Sequence, residues 1–138
     1  MRRYEQVPHT ADFAARIYGK DLPELFENAA FAMFDIMADL EGLQTKEAVN
    51  VQVEADDKES LLISWLNEIL YIAYIKGFLF GEFNVKSLAE NKLTAEVRGE
   101  KLKGKTDRFR AEIKAATYHD LEIIKTDTGY EVTIVFDV

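Results

Sequence analysis

The stretch DDKESLLISWLNEILYIAYIKGFLF, residues 56–80, decides the fold of this chain. Its apolar residues recur at helical spacing behind an acidic start, and the pattern stops at Gly77, so it predicts a buried amphipathic helix. Polar residues within it, among them Asn67 and Glu68, are too costly at mid-bilayer for a membrane-spanning helix. After Gly77 the spacing of apolar residues changes to two, which predicts that strands follow.

A second helix precedes this one in the chain. Asp21 can cap a helix whose first turn holds Pro23 and Glu24, and apolar residues then recur at helical spacing to Met37. Strand patterns cover most of the remaining chain, at residues 4–7, 13–18, 49–55, 80–88, 92–102, 109–115, 121–126 and 130–138. Because helices and strands do not alternate regularly, we expect an α+β fold: a single compact domain over residues 1–138, with two amphipathic helices packed on a mostly antiparallel β-sheet.

The composition excludes several classes of protein. The chain has no cysteine, which excludes a disulfide framework, thiolate catalysis and thiolate zinc sites. Its net charge of −8 argues against a free-standing nucleic-acid binder, because phosphate contacts require a basic surface. Met1-Arg2-Arg3 is followed by no apolar run of the kind found in signal peptides, so we expect a cytoplasmic protein.

One segment departs from the overall acidity. Residues 98–110 contain six basic and two acidic residues. Such a run is most often an exposed hairpin. The functional alternative is a contact with RNA or with an acidic patch on a partner.

Two internal motifs hold candidate functional residues. In His9-Thr10-Ala11-Asp12, Asp12 is either an acceptor in a local turn or a metal ligand or general base. In Lys114-Ala115-Ala116-Thr117-Tyr118-His119, Lys114 is either a solvated strand residue or a group that holds a phosphate or pairs with a carboxylate. In the second interpretation, His119 handles a proton. The sequence has no glycine-rich phosphate loop and no nucleophile elbow.

A third candidate lies where the sequence ends. The strand pattern that starts at Tyr130 continues to Val138, the last residue. We expect the α-carboxylate of Val138 to lie beside the Asp137 side chain; the alternative is a solvated end. Together with Asp12, these anions would form an all-oxygen ligand set, which suits Ca²⁺, Mg²⁺ or Mn²⁺ rather than zinc or copper.

These motifs, taken in their order and spacing, resemble those of the archease family. The matching segments cover essentially the whole chain, and they are His9-Thr10-Ala11-Asp12, Leu25-Phe26-Glu27, Ala29-Ala30, Leu61-Leu62, Trp65-Leu66-Asn67-Glu68-Ile69-Leu70-Tyr71, Gly99-Glu100, Lys114-Ala115-Ala116-Thr117-Tyr118-His119 and Phe136-Asp137-Val138. Phe13-Ala14 departs from the family pattern, in which a smaller residue and an aliphatic one often follow the aspartate. We expect this departure to change local packing rather than the ligands.

The resemblance implies a function that the residues alone do not. Archeases are small α+β proteins that assist the GTP-dependent RtcB-type RNA ligase in tRNA splicing. They promote guanylylation of the ligase and its multiple turnover, and they can broaden its nucleotide use. By this resemblance the chain activates an enzyme rather than being one. Its partner would be the ligase, with tRNA as an indirect partner and no membrane contact.

The resemblance also assigns the site. The family's metal ligands fall on Asp12, Asp137 and Val138, for a divalent cation that we expect to be Ca²⁺ in the isolated protein, with Mg²⁺ and Mn²⁺ as alternatives. Lys114 matches a functionally important lysine and would assist the ligase reaction, while His119 is a member of the same motif. Two other functions stay open: a metal-dependent enzyme acting on nucleotides or phosphoesters, and a general chaperone or binding module with a structural ion.

Overall fold

The computed structural model describes residues 2–8, 12–103 and 108–138. The strands in these ranges are β1 (Tyr4–Val7), β2 (Phe13–Gly19), β3 (Glu47–Glu54), β4 (Phe78–Leu88), β5 (Lys92–Lys101), β6 (Ala115–Ala116), β7 (Ile124–Thr126) and β8 (Gly129–Asp137). The helices are α1 (Leu22–Met37) and α2 (Lys58–Lys76). The predicted α+β class is confirmed, and every strand pair is antiparallel. The strands form two sheets where one was expected.

Both helices begin at an aspartate cap, and α2 ends at Gly77, as its sequence predicts. The Asp21 carboxylate accepts a hydrogen bond from the N–H of Glu24 at 2.9 Å, and that of Asp57 accepts one from Ser60 at 2.7 Å. The contact with Ser60 holds the pKa of Asp57 below its usual range. Gly77 ends α2 with φ 73°, a conformation that costs glycine little because it has no Cβ. Within the described ranges, neither helix combines the length and hydrophobicity needed to cross a membrane.

The first sheet contains the strands next to the described candidate residues Asp12, Lys114 and Asp137. Its central strand, β8, pairs with β2 on one side. On its other side β8 pairs with β7 near its start and with β6 at its end. β1 lies outside β2, and the second sheet has the order β3-β5-β4. A tight turn at Asp127-Thr128 connects β7 to β8.

One continuous cluster of buried side chains includes residues of both helices and both sheets. Trp65 of α2 is fully buried, and its indole N–H donates to the carbonyl oxygen of Phe26 in α1 at 2.9 Å. Phe34 of α1 packs with its ring centroid 5.8 Å from that of Phe80 and 5.6 Å from that of Phe83, both on β4. Because α1 also packs on β2 of the first sheet, this helix joins the two sheets.

The strand predicted for residues 109–115 is wrong. Phe109 makes only an isolated bridge with Ala38, residues 110–114 form no strand, and pairing resumes at Ala115–Ala116. The strand predicted for residues 121–126 is real only at its end, as β7.

The end of α1 explains why this segment is not a strand. The carbonyl oxygen of Met37, in the last turn of the helix, accepts hydrogen bonds from the N–H groups of Arg110 at 2.8 Å and Ala111 at 3.3 Å. The last carbonyls of a helix lack partners within the helix, so they compete with a sheet edge for these donors. The backbone therefore follows the end of the helix.

Candidate functional site

Described residues of the three candidate motifs meet at one end of the first sheet. β2 begins directly after Asp12, and its first residue is paired with Phe136 of β8, the residue before Asp137. β6 begins directly after Lys114, and its first residue is paired with Asp137 itself. The N–H of Lys114 donates to the carbonyl oxygen of Asp137 at 2.8 Å. The end of β8 is thus flanked by Asp12 on one side and by the Lys114 segment on the other.

This end of the sheet is anchored in the core and open to ligands. The side chain of Phe136 is fully buried, which fixes the position of the last residues of β8. The side chains of Lys114 and Asp137 are exposed, Val138 is 38% exposed and Asp12 is half-buried. Charged groups are therefore held in place by their backbone while remaining accessible to a partner or a phosphate.

The donor chemistry at this end fits a hard cation. In the predicted set, the carboxylates of Asp12 and Asp137 and an α-carboxylate at Val138 would supply oxygen alone, as Ca²⁺, Mg²⁺ and Mn²⁺ prefer. Among residues 2–8, 12–103 and 108–138, no three side chains of His, Asp or Glu form a group that could hold a metal ion. The predicted set has two side-chain carboxylates and one main-chain carboxylate, and it stays a prediction.

His119 lies in the turn that follows β6. Its Nε2 is 3.3 Å from the carboxylate of Asp120, and both side chains are exposed. The backbone N–H of His119 donates to Oγ1 of Thr117 at 3.4 Å, while the Thr117 hydroxyl donates to the carbonyl oxygen of Val135 at 2.8 Å. These contacts tie the turn to β8, and the role of His119 with a proton stays a prediction. The His9-Thr10-Ala11 part of the first motif lies outside the described residues.

Sequence reasoning missed two side chains of α2 that hold the Lys114 segment. The Asn67 amide makes two hydrogen bonds with Ala116: Oδ1 accepts from its N–H at 2.8 Å, and Nδ2 donates to its carbonyl oxygen at 3.2 Å. The hydroxyl of Tyr74 donates to the carbonyl oxygen of Ile113. A polar amide on the mostly apolar helix was the available signal, but local spacing does not indicate its partner.

The Tyr74 hydroxyl stays protonated and can therefore keep donating its hydrogen bond. Burial raises the pKa of Tyr74, the nearby Glu112 carboxylate raises it further, and the hydrogen bond to Ile113 acts in the opposite direction. The net direction is upward, so the hydroxyl keeps its proton at neutral pH.

Two arginines of the basic segment, Arg108 and Arg110, make hydrogen bonds within the protein. The Arg108 guanidinium donates to two carbonyl oxygens just beyond α1, at 3.1 and 2.8 Å. The Arg110 guanidinium donates to one carbonyl oxygen in the last turn of α1 and to that of Ala38 at 2.9 Å. These two cations stabilise the negative end of the helix. Residues 104–107 lie outside the described residues, and contact of the segment with RNA or a partner stays a prediction.

The chain is similar to one family of proteins along nearly its whole length. The model of that family, described as the Archease protein family (MTH1598/TM1083), matches residues 4–138. Protein archease of Methanosarcina barkeri is 40% identical over 141 residues, which cover 99% of this chain and 97% of that protein. Protein archease of Pyrococcus abyssi is 42% identical over 132 residues, which cover 94% of this chain and 93% of that protein.

Solved structures show the same similarity in three dimensions. The solution structure of protein 1598 of Methanobacterium thermoautotrophicum matches with a TM-score of 0.84 and 34% identity, covering 100% of both chains. The crystal structure of a Thermotoga maritima protein, described as an archease and possible chaperone, matches with a TM-score of 0.66 and 26% identity. That match covers 100% of this chain and 98% of the other.

Proposed function

The chain belongs to the archease family, and on this premise we propose that it is a protein cofactor of a GTP-dependent RtcB-type RNA ligase in cytoplasmic tRNA splicing. It would promote guanylylation of the ligase and its multiple turnover, and broaden its use of nucleotides. The observation that carries the proposal is the meeting of Asp12, Lys114 and Asp137 at the accessible end of β8. Charges of both signs at one anchored strand end suit binding of a cation and of the phosphates of a nucleotide.

The roles of the residues follow from their charges. Asp12, Asp137 and the Val138 α-carboxylate would hold a divalent cation, which when bound supplies positive charge for phosphate oxygens. Lys114 supplies a second positive charge from the other side of β8, where it can neutralise phosphate. Because Lys114 and Asp137 are exposed, a nucleotide held by the ligase can approach them. In this proposal the protein contributes charge and position, and the ligase forms the covalent bond to the nucleotide.

A time course of ligase guanylylation tests the proposal. The purified ligase is incubated with GTP and a divalent ion, with and without this protein. We expect Asp12→Asn and Lys114→Ala each to lower the stimulation by about tenfold or more, as expected when a charged group that acts on phosphate is removed. Lys86→Ala, which removes an exposed lysine of β4, is the matched control and should stimulate like wild type. Wild-type stimulation by Asp12→Asn would remove the site from the mechanism.

The ion site is tested by adding residues after Val138. An extension converts the α-carboxylate into a peptide group, so we expect weaker binding of Ca²⁺ or of Tb³⁺ as its luminescent substitute, with an unchanged far-UV circular dichroism spectrum. An extension of equal length before Met1 is the control. Equal ion affinity of the two extended proteins would exclude the Val138 carboxylate as a ligand.

A second candidate function comes from the comparisons. The Thermotoga maritima relative is described as a possible chaperone, which supports a general chaperone or binding role for the family fold. Protection of an unrelated aggregating client, without any effect on ligase guanylylation, would favour this function. Nucleotide hydrolysis by the purified protein alone would instead favour a metal-dependent enzyme centred on Asp12, Asp137 and Lys114.

A further inference from the structure

We propose that Asn67 and Tyr74 of α2 are positioning residues for Lys114. They bind the backbone on both sides of this lysine, at Ala116 and at Ile113. The inference rests on the proposed function in one respect, the role of Lys114 toward the ligase. The contacts themselves are independent of that role.

The need for such residues follows from the shortness of β6. This strand has two residues, and β8 pairs with one of its edges only. The N–H and carbonyl groups of Ala116 point to the other side, where an edge strand would normally meet water or another strand. The Asn67 amide occupies that place and satisfies both groups, so it acts as a substitute for a neighbouring strand.

The two contacts are spaced equally along helix α2 and along the segment that it binds. Asn67 and Tyr74 are seven residues apart, so they lie on one face of α2 and about 10.5 Å apart along its axis. Their partners, Ala116 and Ile113, are three residues apart, and three residues of extended chain span about 10 Å. The helix therefore serves as a template against which residues 113–116 are held extended.

Buried side chains on both sides of Lys114 also hold this segment in place. The side chain of Ile113 is fully buried and that of Ala116 is 4% exposed, while Lys114 between them is exposed. A third contact of α2 lies further along: the Glu59 carboxylate accepts a hydrogen bond from the N–H of Ile123 at 3.1 Å. The backbone at Lys114 is thus held by α2 on one side and by Asp137 on the other.

The test compares variants of two tyrosines on the same helix. Tyr74→Phe removes the hydroxyl that binds Ile113 and keeps the ring. Tyr71→Phe, one turn earlier at a side chain that is 60% exposed, is the matched control. Asn67→Ala removes both contacts with Ala116. Amide hydrogen exchange at residues 113–117 and stimulation of ligase guanylylation at increasing protein concentrations are measured for each, together with the melting temperature.

We expect Tyr74→Phe to speed amide exchange at residues 113–117 by about tenfold, the factor for loss of one hydrogen bond. Asn67→Ala removes two hydrogen bonds and should speed it by about tenfold or more, while Tyr71→Phe leaves it unchanged. Maximal stimulation should fall with the faster exchange, and the half-saturating concentration should stay near that of wild type. A purely structural role predicts a lower melting temperature with unchanged maximal stimulation of the folded protein, and that result would overturn the inference. Unchanged exchange in Tyr74→Phe would overturn it as well. Absence of any stimulation by wild type is a separate outcome that contradicts the proposed function itself and this role with it.

Discussion

Arg110 supplies to α1 a positive charge that the helix lacks in its own sequence. The last turn of α1 contains no basic residue. The Arg110 guanidinium, 72 residues beyond Ala38, donates to the carbonyl oxygen of that residue at 2.9 Å and to that of Asp35 within the helix. Cations near the carboxyl end of a helix are favourable because they oppose its dipole. A residue distant in sequence therefore completes the helix end.

Replacement of Arg110 tests this role at the scale of one side chain. We expect Arg110→Ala to lower the free energy of unfolding by ~1.5 kcal/mol, the value for hydrogen bonds made by a charged group. Arg98→Ala is the matched control in the same basic segment. It removes an ion pair with Glu96 on an accessible surface, which typically contributes under ~1 kcal/mol. Urea denaturation followed by circular dichroism measures both. Equal losses in the two variants would show that Arg110 does not stabilise the end of α1.

At the scale of secondary structure elements, the second sheet depends on a close approach between two strands at Gly99. A Cβ at this position of β5 would lie 2.1 Å from the carbonyl oxygen of Leu79 and 2.8 Å from the Cα of Phe80, both in β4. The register of β4 and β5 shifts just after Phe80. The glycine of the Gly99-Glu100 motif is therefore explained by backbone packing.

Substitution of this glycine tests the close approach. Gly99→Ala forces backbone atoms of β4 apart, and we expect it to destabilise the protein by roughly 3 kcal/mol, at the upper end for overpacking. Gly81→Ala is the control on β4. There the nearest atom to an added Cβ is the flexible end of the Leu43 side chain at 3.0 Å. Chemical denaturation of both variants measures the difference, and a Gly99→Ala protein as stable as Gly81→Ala would contradict the packing argument.

At the scale of the whole molecule, α1 and the shared core make the two sheets one unit. Trp65 is fully buried and is bonded to the backbone of α1 through its indole N–H at 2.9 Å. It is the one tryptophan of the chain. Its fluorescence therefore reports on the junction of the two helices, whereas far-UV circular dichroism reports on all elements.

Because the core is continuous, unfolding should be a single cooperative transition. We expect the urea transition followed by Trp65 fluorescence to coincide with that followed by far-UV circular dichroism, with equal midpoints and slopes. Separate midpoints would mean that the sheet of β3, β4 and β5 unfolds independently of the sheet around β8. A Trp65→Phe variant followed by circular dichroism alone controls for any effect of the probe itself.

Only part of the candidate site could be predicted from the sequence. Residue types and motif order nominated Asp12, Lys114, Asp137 and Val138, and the family resemblance connected them to one function. Their meeting depends on the pairing of β8 with β2 on one side and β6 on the other. Asn67 was not nominated, because its two hydrogen bonds join residues 49 positions apart, a separation that no local pattern records.

The sequence by itself determined the elements whose signals are local. Asp21, Asp57 and Gly77 set the ends of the helices, since caps act within one turn, and periodicity set the buried faces. The tertiary structure alone decided that residues 110–111 bond to the end of α1 rather than to a sheet, and that the strands divide into two sheets. The physical reason is competition for backbone hydrogen bonds. An apolar alternation shows which side chains will be buried, but the partner of each N–H and carbonyl is chosen only when distant segments are packed together.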